Sequence, residues 1–127
     1  MQRAEILRGH DVFREILTKG KRIRGIHVRA FLLTVDAACD RGMPVRIGFV
    51  VSKRIRSASN RNRIRRLMRE AYRKQKERLL VYAQEHAKRY SLILMYREND
   101  QTDIKKLHLA DFEEDVYATI TNVISEQ

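Results

Sequence analysis

The amino-acid sequence predicts an α+β fold, in which helices pack on a small, mostly antiparallel sheet of about four strands, in the order αβββαβα. The chain has 127 residues, the size of one ordinary domain, and 43% of them are hydrophobic, which is enough for one core. Apolar residues alternate in some segments and follow helical spacing in others. Because no repeat or low-complexity linker divides the chain, we expect residues 1–127 to form a single domain.

The first predicted element is a short helix within residues 1–20. Its apolar side comprises Val12, Phe13, Ile16 and Leu17. Asp11 near its start suits the helix dipole, and Gly20 is placed to end it in a left-handed conformation. Lys21–Arg24 then follows as a basic link.

Two strands are predicted next, at Ile26–Val35 and Val45–Val51. Alternation in the first strand puts Val28, Ala30 and Leu32 on one face and Arg29, Phe31 and Leu33 on the other. The connection Asp36–Met43 is short and rich in polar or small residues, which predicts an antiparallel hairpin. A further short strand is expected near Val51–Ile55.

The next element is a helix dense in arginine. Between Lys53 and Arg73, nine basic residues stand against one acid, Glu70. The apolar stripe predicted to pack on the sheet comprises Ile64, Leu67, Met68, Ala71 and Tyr72. The opposite arc carries Asn62, Arg65, Arg66, Arg69 and Arg73, while Arg61 lies at the edge of the stripe. Ser57 or Ser59 can cap the helix start. Cations in the first turns oppose the helix dipole, which indicates a surface kept for binding.

The last third of the chain predicts one strand and one helix. The arginine helix continues through Lys74–Leu80, and Val81–Lys88 is either its extension or a second short helix. Tyr90–Tyr96 is an apolar run of strand length, typical of a strand covered by helices. Leu109–Ile124 is an amphipathic helix with acidic first turns, which we expect to cover the core.

The charge balance points to a polyanionic partner. With 27 Lys and Arg against 16 Asp and Glu, the net charge is +11 and the isoelectric point is near 10.3. Nucleic acid is the first partner class, an anionic membrane surface is the second, and a merely solvated basic face is the alternative. No apolar run reaches the roughly 20 residues of a membrane span. The lone Cys39 and the absence of a signal-peptide pattern in Met1–Arg8 predict a reduced, cytoplasmic compartment.

The residues offer binding chemistry rather than catalysis. The four histidines are scattered, and Asp36 with Asp40 is more typical of a solvated loop than of a metal site. We therefore expect no catalytic side chain and leave metal ligands unassigned. Arginines can reach phosphates with paired donors. Phe13 and Phe31 can either stack on unpaired bases or pack in the core.

Two linked segments, Val51–Ile55 and Arg61–Tyr72 with Ala58 between them, resemble the protein subunit of bacterial ribonuclease P. That family has a Val-Ser-Lys-Lys-type strand end, followed by Arg-Asn-Arg-(Ile/Val)-(Lys/Arg)-Arg on the next helix. Leu7, Phe13, Gly20 and Phe31 also fall at the family's spacing. The resemblance covers roughly Leu7–Tyr96.

The resemblance implies a left-handed β-α-β crossover and a function in tRNA processing. In that family a catalytic RNA subunit removes the 5′ leader of precursor tRNA, and this RNA binds most of the Mg²⁺. The resemblance therefore implies one protein per RNA subunit and no Mg²⁺ bound by the protein alone. The implied contacts to the catalytic RNA are Arg61, Asn62, Arg63, Arg65, Arg66 and Arg69. The implied leader-binding residues are Phe13, Phe31, Lys53 and Arg54. The alternatives are an RNA-binding ribosomal or assembly protein and, with less support, a DNA-binding regulator.

Overall fold

The computed structural model describes residues 3–36, 43–98 and 103–125, which form a four-stranded sheet with helices on both faces. The helices are α1 (His10–Lys19), α2 (Ala58–Glu85) and α3 (Leu109–Ser125), and short 3₁₀ turns lie at Arg3–Glu5 and Ile104–Lys106. The strands are β1 (Lys21–Arg24), β2 (Val28–Asp36), β3 (Val45–Val50) and β4 (Lys88–Tyr96). The predicted class and the order αβββαβα are confirmed.

The sheet has the strand order β1-β2-β4-β3. β1 pairs with β2 and β2 with β4 in antiparallel fashion, whereas β3 pairs with β4 in parallel. The predicted hairpin between β2 and β3 is therefore wrong, because β4 lies between them. A strand that is apolar on both faces is most stable at the centre of a sheet, and α2 supplies the crossover that a parallel neighbour requires. The connection at residues 37–42 lies outside the described residues.

The third predicted strand also lies elsewhere. Lys21–Arg24, predicted to be a link, forms the edge strand β1, in which Ile23 is buried and its neighbours are exposed. This strand has one apolar residue among three cations, which is too few to show the alternating pattern of a strand. Val51–Ile55 is a turn, in which the Ile55 N–H donates to the Ser52 carbonyl at 3.2 Å.

The ends of two helices test the capping predictions. Ser57 caps α2 by accepting a hydrogen bond from the Asn60 N–H at 3.2 Å, and α2 runs without a break to Glu85. Gly20 is extended, with φ of −69°, so the prediction of a left-handed end is wrong. A Cβ at this position would collide with the Ile16 carbonyl oxygen, so the glycine permits a close approach of backbone instead.

The sheet separates two apolar clusters. α2 and α3 cover the face that carries Val28, Ala30 and Leu32, as the alternation of β2 predicts. α1 covers part of the other face, where Ile16 packs with Phe31. No helix in the described residues combines the length and apolar character that a membrane crossing requires.

Candidate nucleic-acid interface

The arginine-rich surface of α2 is fixed by the helix's buried stripe. Ile64, Met68 and Ala71 are 0% exposed, and Tyr72 is buried beside them. The opposite side, here called the arginine face, comprises Asn62, Arg65, Arg66, Arg69 and Arg73. All of these are exposed except Arg65, which is half-buried. Because the stripe is anchored in the core, the arginine face has one orientation relative to the sheet.

Contacts made by residues of the arginine face order some of its cations. Arg65 donates to the Asn62 side-chain oxygen at 3.3 Å, and the Arg69 guanidinium lies 5.9 Å from the centre of the Phe49 ring. Arg73 forms an ion pair with Glu70, and their hydrogen bond lowers the pKa of Glu70 and raises the pKa of Arg73. Glu70 thus offsets one positive charge at the far end of this face.

Two arginines of the same segment donate to the protein backbone. Arg61 Nη1 donates to the carbonyls of Ile55 at 2.6 Å and Arg56 at 3.1 Å, and so fastens the turn before α2. Arg63 Nη2 donates to the Leu107 carbonyl at 2.7 Å, which ties α2 to the segment that leads into α3. The sequence placed Arg61 at the edge of the apolar stripe, but it did not indicate either of these contacts to the backbone.

The two phenylalanines lie on the sheet face that α1 covers. Phe31 is 5% exposed and packs with Leu7, Ile16 and Ile93, so its environment is that of a core residue. Phe13 is half-buried and lies on Gly48, where an added Cβ would be 2.7 Å from the ring. Phe13 is therefore the more accessible of the two rings.

A groove opens on the same sheet face, beside α1. Arg29, Met95 and Val50 lie side by side across β2, β4 and β3 at its floor. The remaining lining residues are Ser52, Arg54, Tyr96, Arg97 and Glu98, and the volume is about 650 Å³. The structure therefore brings Arg54 together with Arg29 and Arg97, which were not among the predicted site residues. Lys53 is exposed next to Arg54 in the chain but does not line the groove.

The residues considered for a metal are only partly within the described chain. Cys39 and Asp40 lie outside the described residues, and the side chain of Asp36 is not described. Within residues 3–36, 43–98 and 103–125, no group of three or more His, Cys, Asp or Glu side chains is placed to hold a metal ion.

Comparisons with known proteins agree on one family. The Ribonuclease P family profile matches residues 1–110. The ribonuclease P protein component of Chlorobium phaeobacteroides is 36% identical over 87 residues, which are 67% of this chain and 60% of that protein. The component of Pelotomaculum thermopropionicum is 34% identical over 105 residues, which are 83% of this chain and 82% of that protein. The solved RNase P protein from Thermotoga maritima shares the fold, with a TM-score of 0.72 at 19% sequence identity. The superposition covers 93% of this chain and 96% of that chain.

Proposed function

Because the chain belongs to the ribonuclease P protein family, we propose that it is the protein component of a ribonuclease P and binds the enzyme's catalytic RNA. In this proposal, the RNA and its Mg²⁺ cleave the 5′ leader from precursor tRNA. The protein contributes binding and no catalytic side chain. The observation that carries the proposal is the arginine face, which is presented outward by a helix whose other side is buried.

The arginine face is proposed to contact the catalytic RNA. Arg65, Arg66 and Arg69 can donate to phosphate oxygens, and Asn62 can hydrogen-bond to sugars or bases. Arg61 and Arg63 lie at the border of this face, and their charges add to the same positive field. An exposed phosphate contact gains most of its free energy from counterion release, so this interaction is expected to weaken steeply with salt.

The groove beside α1 is proposed to bind the single-stranded leader. Arg54 lines it, Lys53 is the exposed neighbour of Arg54 in the chain, and Phe13 presents a half-buried ring on the same sheet face. Phe31 lies deeper, and its packing with Ile16 supports the helix that carries Phe13. The combination of cations and an aromatic ring is the one that single-stranded nucleic acid recognition commonly uses.

Reconstitution tests the proposed function. The protein is added to its cognate RNA subunit at low Mg²⁺, and cleavage of precursor tRNA is followed. We expect faster cleavage at the 5′ end of the mature sequence and tighter binding of precursor than of mature tRNA. Binding to unrelated RNAs with equal affinity, without stimulated cleavage, would instead favour a general RNA-binding protein.

A further inference from the structure

Asp115 is a buried carboxylate that the proposed RNA contacts do not use. It lies on α3 and is 5% exposed. Its Oδ1 accepts a hydrogen bond from the Ile26 N–H at 3.0 Å, and its Oδ2 accepts from the N–H groups of His27 at 2.6 Å and Val28 at 2.9 Å. Three backbone donors on one carboxylate are charge-assisted hydrogen bonds, which hold the turn between β1 and β2 in one conformation.

Arg97 makes two further hydrogen bonds to this turn. The Arg97 N–H donates to the His27 carbonyl at 2.7 Å, and Arg97 Nη1 donates to the Gly25 carbonyl at 3.1 Å. At Gly25, an added Cβ would lie 2.6 Å from the Val28 carbonyl oxygen and 2.9 Å from the Asp115 carboxyl group. The turn is therefore held by the Asp115 carboxylate, which accepts from its N–H groups, and by Arg97, whose guanidinium donates to the Gly25 carbonyl and whose backbone N–H donates to the His27 carbonyl.

Arg97 connects this turn to the groove, which it lines together with Arg29 and Arg54. We propose that Asp115 is a positioning residue for the leader of precursor tRNA: it fixes the turn, and the turn fixes the Arg97 guanidinium in the groove. This inference rests on the proposed function of the groove. A guanidinium held by a backbone carbonyl loses less side-chain freedom when it meets a phosphate, which favours binding.

A double-mutant cycle tests whether Asp115 acts through Arg97. Asp115→Asn keeps the side-chain shape but removes the charge, and it turns an amide group toward a backbone N–H. The reconstituted enzyme is compared with wild type in its relative affinity for precursor and mature tRNA. We expect Asp115→Asn and Arg97→Ala each to reduce the preference for precursor by about tenfold, the size of one charge-assisted hydrogen bond. In the Arg97→Ala background, Asp115→Asn should cause no further decrease.

Two variants separate positioning from stability. Val123→Ala removes a buried side chain from the same helix without touching the turn, and it should lower stability while it preserves the preference for precursor. Gly25→Ala places a methyl group against the Val28 carbonyl and the Asp115 carboxyl group, which displaces the turn. It should reproduce the decrease in preference, again only when Arg97 is present. Gly25→Ala also provides the test if Asp115→Asn does not fold.

The outcomes are distinct. An undiminished preference in Asp115→Asn, or an equal decrease with and without Arg97, overturns the inference. An equal decrease in Val123→Ala overturns it as well, because the effect would then follow from stability alone. If wild type itself does not prefer precursor over mature tRNA, the proposed function of the groove fails, independently of Asp115.

Discussion

At the scale of single residues, the junction between α2 and β4 holds Ala87 in an unusual conformation. Its φ is +51°, and Ala87 is the non-glycine residue with positive φ in the described chain. An L-residue in this region is strained by roughly 1–2 kcal/mol, whereas glycine adopts it freely. The reversal is needed because α2 ends at Glu85 and β4 begins three residues later, at Lys88.

We predict that Ala87→Gly raises the free energy of unfolding by up to about 1 kcal/mol. Glycine relieves the backbone strain of the folded state, and the greater conformational entropy that it gives the unfolded chain offsets part of this gain. Urea denaturation measures the change. Glu77→Gly, at an exposed position in the interior of α2, is the matched control and should lower stability by about 1 kcal/mol. If both variants are destabilised equally, the backbone at Ala87 is not strained.

At the scale of elements, α2 has a buried stripe, an arginine face and a border where Arg61 and Arg63 donate to backbone carbonyls. A helical period gives the direction in which each Cβ points, so the stripe and the face were predictable. It does not give the position of a guanidinium at the end of a long side chain. The sequence therefore identified the cations of this segment but not which of them contact the protein.

Arg63→Ala and Arg66→Ala form a matched pair that separates these two groups. Arg63→Ala should lower the free energy of unfolding by about 1–3 kcal/mol, because the buried Leu107 loses the donor to its carbonyl. Arg66→Ala should change stability by less than about 0.5 kcal/mol. It should nevertheless weaken the salt dependence of binding to the catalytic RNA. The slope of the logarithm of the binding constant against the logarithm of the salt concentration should become less steep by about 0.7–0.9 for each phosphate that the variant no longer neutralises. Equal decreases in stability in the two variants would contradict this division.

The strands show what local pattern can and cannot predict. β2 and β4 are long enough for their apolar pattern to be read, and both were predicted within a few residues. β1 has four residues, too few to establish a period. The strand that pairs with β3 depends on where β4 enters the sheet after α2. Local sequence pattern does not contain this information. A hairpin was therefore predicted where the molecule inserts β4.

At the scale of the whole molecule, the core holds several tyrosines in their neutral form. Burial, followed by the charge of Glu5, raises the pKa of Tyr72. Burial is also the main cause of the raised pKa of Tyr90 and of Tyr96. In the unfolded chain each phenol ionises near its ordinary pKa of about 10. Above that pH the unfolded state binds fewer protons than the folded state, so stability falls as pH rises.

We predict alkaline destabilisation that begins near pH 10, where the unfolded tyrosines start to ionise. Urea denaturation across the alkaline range measures it, and the phenolate absorbance of the buried tyrosines should appear together with unfolding. Tyr72→Phe should make the fall of stability with pH less steep, even if it changes stability at neutral pH. An unchanged dependence on pH would mean that Tyr72 ionises equally in both states.

The central position of β4 also constrains how the chain is made. Synthesis produces β1, β2 and β3 before α2, yet β2 and β3 do not pair with each other, and both pair with β4. Until residues 88–96 emerge from the ribosome, each of these strands keeps an unpaired edge, and unpaired edges invite association between chains. During that interval the basic α2 is already present and β4 is not. The nascent chain therefore exposes its arginine-rich segment before the sheet that orients it exists.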